Sequence, residues 1–144
     1  MMTAPDRRLS FGIKTSQMGL SYEEILRIWR EADQIPAFKH AWLWDHMVPL
    51  RGEITGAALE AWTLLAALAA ETSRLRLGVI VTSNRLRSPA LLAKMAATVD
   101  IIASGRLDFG IGAGAAGWPA RIRRCGSSRP TECPWSPPVR PSAT

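Results

Sequence analysis

Leu9, Phe11 and Ile13 alternate with smaller or polar residues, a two-residue period that predicts a strand over 9–14. Ser21-Tyr-Glu-Glu24 then has capping-box spacing: the Ser21 hydroxyl can take a free N–H of the first turn while Glu24 reaches back to the N-cap. The helix that follows carries Tyr22, Ile25, Trp29 and Ala32 on one face, with Glu23, Glu24, Arg27, Arg30 and Glu31 elsewhere; Glu23 and Arg27 form a favourable i,i+4 pair, and Pro36 ends the period. Residues 41–44, Ala-Trp-Leu-Trp, form a short apolar run that stops at Asp45-His46 as a buried strand stops at a sheet edge. Over 59–72, Leu59, Trp62, Leu64, Leu65, Leu68 and several alanines wrap most of a helix, which therefore needs cover on more than one side, as a sheet and a partner subunit together would give. Residues 74–81 read as a strand that becomes wholly apolar, and Ser88-Pro89 supplies an N-cap with proline at the first helical position. Leu91, Met95, Val99 and Ile102 make the expected buried stripe of that helix, Ser104-Gly105 closes it, and 106–112 is a fourth strand.

This β-α-β-α-β-α-β order calls for parallel strands joined by right-handed crossovers, an α/β fold. A barrel of β/α units and an open doubly wound sheet both fit, and both place ligands at the carboxyl ends of the strands. There the sequence offers Lys14-Thr-Ser16, Asp45-His46, Thr82-Ser-Asn84 and Gly112-Ala-Gly114. His46 can exchange a proton near neutral pH, and Asp45 beside it can favour one protonation state or fix the ring, although neighbours on a strand point to opposite faces unless the strand has ended. His40, ahead of the same strand, reads as a surface residue. Thr82, Ser83 and Asn84 carry hydroxyl and amide groups that suit a ring system or a phosphate, and equally an ordinary turn. Gly110, Gly112 and Gly114 either let a ligand approach the backbone or make room for close packing. Residues 112–117 satisfy G-x-G-x-x-G, but Trp118-Pro119 and an Arg-rich stretch follow where a dinucleotide fingerprint needs a helix.

With 47% apolar and 21% charged residues in 144, the chain has the composition of a globular protein, not of a disordered, collagenous or disulfide-scaffold chain. Its cleanest apolar run, 61–70, is about half the ~20 residues a membrane span needs, and no apolar signal segment follows the first residues, so a cytoplasmic protein is expected. The net charge of +6 is unevenly placed: residues 1–114 hold 13 Lys/Arg against 11 Asp/Glu, and 115–144 hold five Arg against Glu132. The excess therefore sits outside the patterned region, and Arg121-Ile-Arg-Arg124 is a short solvated cluster, so nucleic acid is not the expected partner. Cys125 and Cys133 match no metal spacing and read as free thiols.

Taken in order, Trp42-Leu-Trp-Asp-His46, Glu60-Ala-Trp-Thr-Leu-Leu-Ala-Ala-Leu-Ala-Ala70, Leu75-Arg-Leu-Gly-Val-Ile-Val-Thr82, Ser88 to Asp100 and Gly105-Arg-Leu-Asp-Phe-Gly-Ile-Gly-Ala-Gly114 resemble the luciferase-like monooxygenase family, and within it the F420-dependent oxidoreductases. The resemblance implies a (β/α)8 TIM barrel, of which 1–114 would form the first four β/α units. It also implies hydride transfer between F420, or alternatively FMN, and a small organic substrate, sometimes with oxygen. On the same ground Asp45 and His46 would lie beside the reactive ring with His46 transferring a proton, Thr82, Ser83 and Asn84 would line the ring near a non-prolyl cis peptide common in the family, and Gly112, Ala113 and Gly114 would lie under the cofactor. The family commonly forms homodimers through the helices after its second and third strands, which suits the all-round apolar helix at 59–72.

Departures from the family pattern are Ala103-Ser-Gly105, where two glycines before the arginine are usual, Leu86, where an aromatic is common, and above all the loss of all period after Gly114. A barrel of this kind needs about 250 residues. The Arg, Pro, Ser, Cys and Trp bias of 115–144 is that of GC-rich coding DNA read in a wrong frame, so a truncated or frameshifted chain with an irregular tail is expected. Four units alone leave two open sheet edges, which predicts weak stability, inactivity as an isolated fragment and, as the competing reading, a non-enzymatic product or interaction module with a basic tail.

Overall fold

A computed structural model describes residues 9–50 and 57–113 of the chain. Gly114 and the 115–144 segment, with the expectations attached to them, lie outside the described residues.

The seven expected elements are present in order: β1 (Phe11–Lys14), α1 (Tyr22–Gln34), β2 (Phe38–Leu43), α2 (Ala61–Glu71), β3 (Arg76–Ser83), α3 (Pro89–Ile102) and β4 (Leu107–Gly112). Helix α1 starts where the capping box put it, with the Ser21 hydroxyl accepting from the Glu24 N–H at 3.2 Å and Glu24 accepting from the Ser21 N–H at 2.7 Å. Ile25, Trp29 and Ala32 are buried as the period required; the ion pair on the outer face is Arg27 with Glu31 at 2.9 Å instead of Glu23 with Arg27. Strand β2 begins at Phe38, ahead of the apolar run, because Lys39 and His40 are strand residues whose polarity hid the start of the ladder.

Helix α2 buries Ala61, Trp62, Leu64, Leu65, Leu68 and Ala69, the wide apolar surface expected of it. In α3 the buried stripe keeps Met95 and Val99 of the expected one and uses Leu92 and Ala96 in place of Leu91 and Ile102. Leu92 and Val99 are buried, Met95 and Ala96 pack against the core, and Leu91 and Ile102 are 54% and 40% exposed. Positions 92, 95, 96 and 99 repeat the same helical spacing, and with Leu91-Leu92 and Ile101-Ile102 both doubled, period alone does not choose between the two registers.

All strands are parallel and lie in sequence order, β1-β2-β3-β4. One core unites α1, α2 and α3 with Ala41, Leu43, Leu77 and Val79 of the sheet. Consecutive strand order with every helix on one side is the arrangement of a β/α barrel; a doubly wound sheet reverses its order and carries helices on both faces. The inner face is set by close packing at Gly78, where a Cβ would stand 2.2 Å from the Asp108 carbonyl oxygen and 2.8 Å from the Trp42 ring. In β3 the Ile80–Val81 peptide is cis and the pairing with β4 shifts between Val79 and Thr82, so that Val79 and Thr82 are both buried. Both outer strands, β1 and β4, have an unpaired edge among the described residues, and Phe11, Phe109 and Ile111 are about half exposed there. No helix among the described residues is long and apolar enough to cross a membrane.

Candidate active site at the strand ends

The carboxyl rim is assembled by polar side chains that pin main chain. Beyond β1, Thr15 is buried and accepts from the Trp29 indole N–H at 3.0 Å. Gln17, also buried, accepts from the Trp44 N–H at 2.7 Å and donates to the Leu59 carbonyl at 3.1 Å, tying the ends of β1 and β2 to the approach to α2. Lys14 places its ammonium 4.5 Å from the centroid of the Trp44 ring, and Trp44 meets His46 edge-on at 5.7 Å. The Trp44 indole N–H is buried without a hydrogen-bond partner among the described residues.

Asp45 lies two residues beyond the end of β2 and is buried. One carboxylate oxygen accepts from the Ser83 N–H at 2.9 Å, and Arg87 bonds both oxygens at 2.8 Å in a fork. Arg87 also bonds Glu60, whose carboxylate caps α2 by accepting from the N–H groups of Trp62 at 3.1 Å and Thr63 at 2.7 Å. Side chains of Asp45 and Arg87 are 2% and 6% exposed. Burial disfavours the charge on Arg87 and on Glu60, but the hydrogen bonds and opposite charges around them outweigh it. The guanidinium is held above and the carboxyl below its ordinary range. Asp45 is thus an anchor between β2, β3 and α2, with both oxygens occupied.

His46 has the opposite balance. Burial pulls its pKa below the usual histidine value against the raising influence of Asp45, and the Lys14 charge adds to the fall, so the ring is neutral at neutral pH. The sequence-named residues divide accordingly. Asp45, Ser83 and Gly112 come together: Asp45 holds the Ser83 N–H, Ser83 pairs with Gly112, and the Asn84 N–H donates to the Gly112 carbonyl at 3.2 Å. Asn84 and Ala113 are exposed on the rim. The Thr82 side chain is not on the rim: it is fully buried facing the helices, and its hydroxyl oxygen accepts from the Trp62 indole N–H at 3.1 Å. Gly112 is closely packed against protein: a Cβ there would stand 2.6 Å from a Val81 methyl. Gly114 lies outside the described residues.

His40 is not the bland surface residue its position suggested. It stacks on Trp42 at 6.1 Å and bonds Asp108 at 3.1 Å, and Asp108 also pairs with Arg76, a polar cluster at the amino end of the strands. Arg87, Glu60, Gln17 and the Lys14–Trp44 contact went unread as site residues. Arg87 and Glu60 stand 27 positions apart, and only the fold brings them to Asp45; the one local signal was Glu60 directly before an apolar helix, a capping position.

With this geometry in view, comparison with known proteins is informative. The family model described as luciferase-like monooxygenase matches residues 8–132. An F420-dependent glucose-6-phosphate dehydrogenase of Kineococcus radiotolerans is 32% identical over 114 residues, 78% of this chain and 28% of the relative. The F420-dependent tetrahydromethanopterin reductase of Methanopyrus kandleri superposes with a TM-score of 0.63 at 26% identity, over 79% of this chain and 30% of that one. The monooxygenase RslO1 of Streptomyces bottropensis gives 0.65 at 30% identity, over 81% and 36%. The chain thus spans about a third of the length of the proteins it matches, or less, and its four described strands and three helices correspond to part of their barrel. On the match over most of its length, the chain belongs to the luciferase-like monooxygenase family.

Proposed function

We propose that this chain forms the cofactor-facing part of an oxidoreductase that moves hydride between F420, or alternatively FMN, and a small organic substrate. The observation that carries the reading is a neutral His46 held at the carboxyl rim, beside the Lys14–Trp44 stack and on main chain pinned by Asp45. Two of the three relatives above are F420-dependent, which favours F420 over FMN.

The donor set suits a flat ring with polar edges: an ammonium on Lys14, a hydroxyl on Ser83 and an amide on Asn84, beside the apolar surfaces of Trp44 and Val81. When bound, the cofactor supplies the hydride acceptor or donor. His46 takes the proton that leaves a substrate hydroxyl at an imidazole nitrogen, or returns it in the reverse direction. Lys14, Ser83 and Asn84 bind and orient the polar edge, and Trp44 with Val81 excludes water. The groove between α2 and α3, lined by Trp62, Ala66, Met95 and Val99, supports a homodimer through these helices.

A chimera tests the reading. Residues 9–113 replace the matching segment of the Kineococcus F420-dependent dehydrogenase, and His46→Ala is made in that background. The expected result is a loss of turnover of ~100-fold or more with F420 still bound, the scale of a missing acid–base group. Unchanged turnover in the His46→Ala chimera would overturn it.

A further inference from the structure

Asp45 precedes His46 directly in the chain and acts on its charge, and Asp45 is itself held from behind. Its two oxygens are taken by the Ser83 N–H and by the Arg87 fork, and Arg87 reaches on to Glu60 at the N-terminus of α2. One residue ahead of Asp45 the Trp44 N–H is fixed by Gln17. One guanidinium therefore joins the end of β2, the end of β3 and the start of α2. It does so while almost wholly buried, where a fork-shaped donor with two carboxylates to satisfy is hard to replace.

We propose that Arg87 is a positioning residue for His46: by clamping Asp45 to the β3 end and to Glu60, it fixes the main chain that carries the His46 ring and neutralises the carboxylate beside it. This rests on the reading of His46 as the proton-transfer group. Arg87 itself touches no reacting atom. Its influence passes through Asp45, because an unclamped Asp45 would present an uncompensated negative charge to the imidazole and favour its protonated form. Charged groups acting on His46 include Asp45, its chain neighbour, and Lys14 from the end of β1; Arg87 and Glu60 stand behind Asp45.

The test is a titration of the imidazole by NMR in the full 144-residue chain. The sequence has two histidines, His40 and His46, so the His46 signal is assigned by its disappearance in His46→Gln. The variants are Arg87→Met, Arg87→Lys and the double variant Arg87→Met/Asp45→Asn, each checked for native circular dichroism. The expected result is an upward movement of the His46 midpoint by about one pH unit in Arg87→Met. A smaller movement is expected in Arg87→Lys, which keeps the charge without the fork, and a return toward the wild-type midpoint in the double variant. Where Arg87→Met does not fold, Arg87→Lys carries the test.

A His46 midpoint identical to wild type in the folded single variants would overturn the proposal, as would a double variant that titrates like the single one. F420 and FMN binding to the wild-type chain is measured in parallel by fluorescence. Absence of binding with the His46 shift intact counts against the functional reading alone, and binding without the shift counts against the clamp alone.

Discussion

Asp33, near the C-terminal end of α1, offers the sharpest stability prediction. Its buried carboxylate accepts four hydrogen bonds: from the Ser73 N–H at 2.9 Å and hydroxyl at 3.1 Å on one oxygen, and from the N–H groups of Arg74 at 3.0 Å and Leu75 at 2.9 Å on the other. These bonds hold the turn that launches β3. Its charge also favours the half-buried Arg106, whose guanidinium burial pushes down and Asp33 supports. Asp33→Asn keeps the shape and one acceptor oxygen. The Arg74 and Leu75 bonds survive as weaker neutral ones, while the new amide donor faces the Ser73 N–H. Charge-assisted bonds exceed neutral ones by about 1 kcal/mol each, and an N–H left without its acceptor costs at least another 1 kcal/mol, for a total of about 3 kcal/mol. Urea unfolding followed by far-ultraviolet circular dichroism measures it. With a slope of about 2 kcal/mol per molar, the midpoint falls by roughly 1.5 M. A fall corresponding to less than about 1 kcal/mol would refute the assignment of Asp33 as the anchor of this turn.

Further outcomes follow from the same packing. Burial raises the carboxyl pKa of Asp33, Glu60 and Asp108, yet hydrogen bonds and cationic partners hold all three below their ordinary values. A depressed folded pKa contributes stability that is present above the unfolded value and lost as pH falls through the folded one, so the urea midpoint should decline below about pH 4 on account of these carboxylates, after a smaller decline below about pH 6.5 from the depressed His46; a midpoint constant from pH 7 down to pH 3 would contradict this. Gly78→Ala drives a Cβ into the Asp108 carbonyl, 2.2 Å away, and should cost about 3 kcal/mol or abolish folding, read by circular dichroism. Trp62→Phe removes the N–H that Thr82 accepts in the core and should cost about 1–2 kcal/mol in urea unfolding, with part recovered by adding Thr82→Val.

The α/β class, the parallel strands and the starts of α1 and α3 were legible in the sequence because they rest on local signals: a capping box at Ser21, Ser88 before Pro89, and strands whose apolar runs need two covered faces. What escaped depends on distance along the chain. His40 looked like a bland surface residue ahead of the strand because its partner lies far along the chain: on the sheet it bonds Asp108, 68 positions on. Thr82 was grouped with Ser83 and Asn84 as a rim residue, yet the register shift in β3 turns it toward Trp62. The Asp45-His46 pair stood out as chemistry, with Asp45 read as the support of His46, whereas the groups that hold the pair did not. Asp45 is bonded by Arg87, a residue with no local motif, and Lys14 reaches Trp44 and His46 only once β1 and β2 are paired.

A binding map tests most directly whether the strand-end rim is the cofactor surface. F420 and, separately, FMN are titrated into the isotopically labelled chain while amide and imidazole resonances are followed by NMR. The account expects saturable shifts at His46, Ser83, Asn84 and Ala113, with His40 and Asp108 at the other end of the strands undisturbed. Absence of saturable shifts with either cofactor, or shifts centred on the His40–Asp108 end, would contradict it.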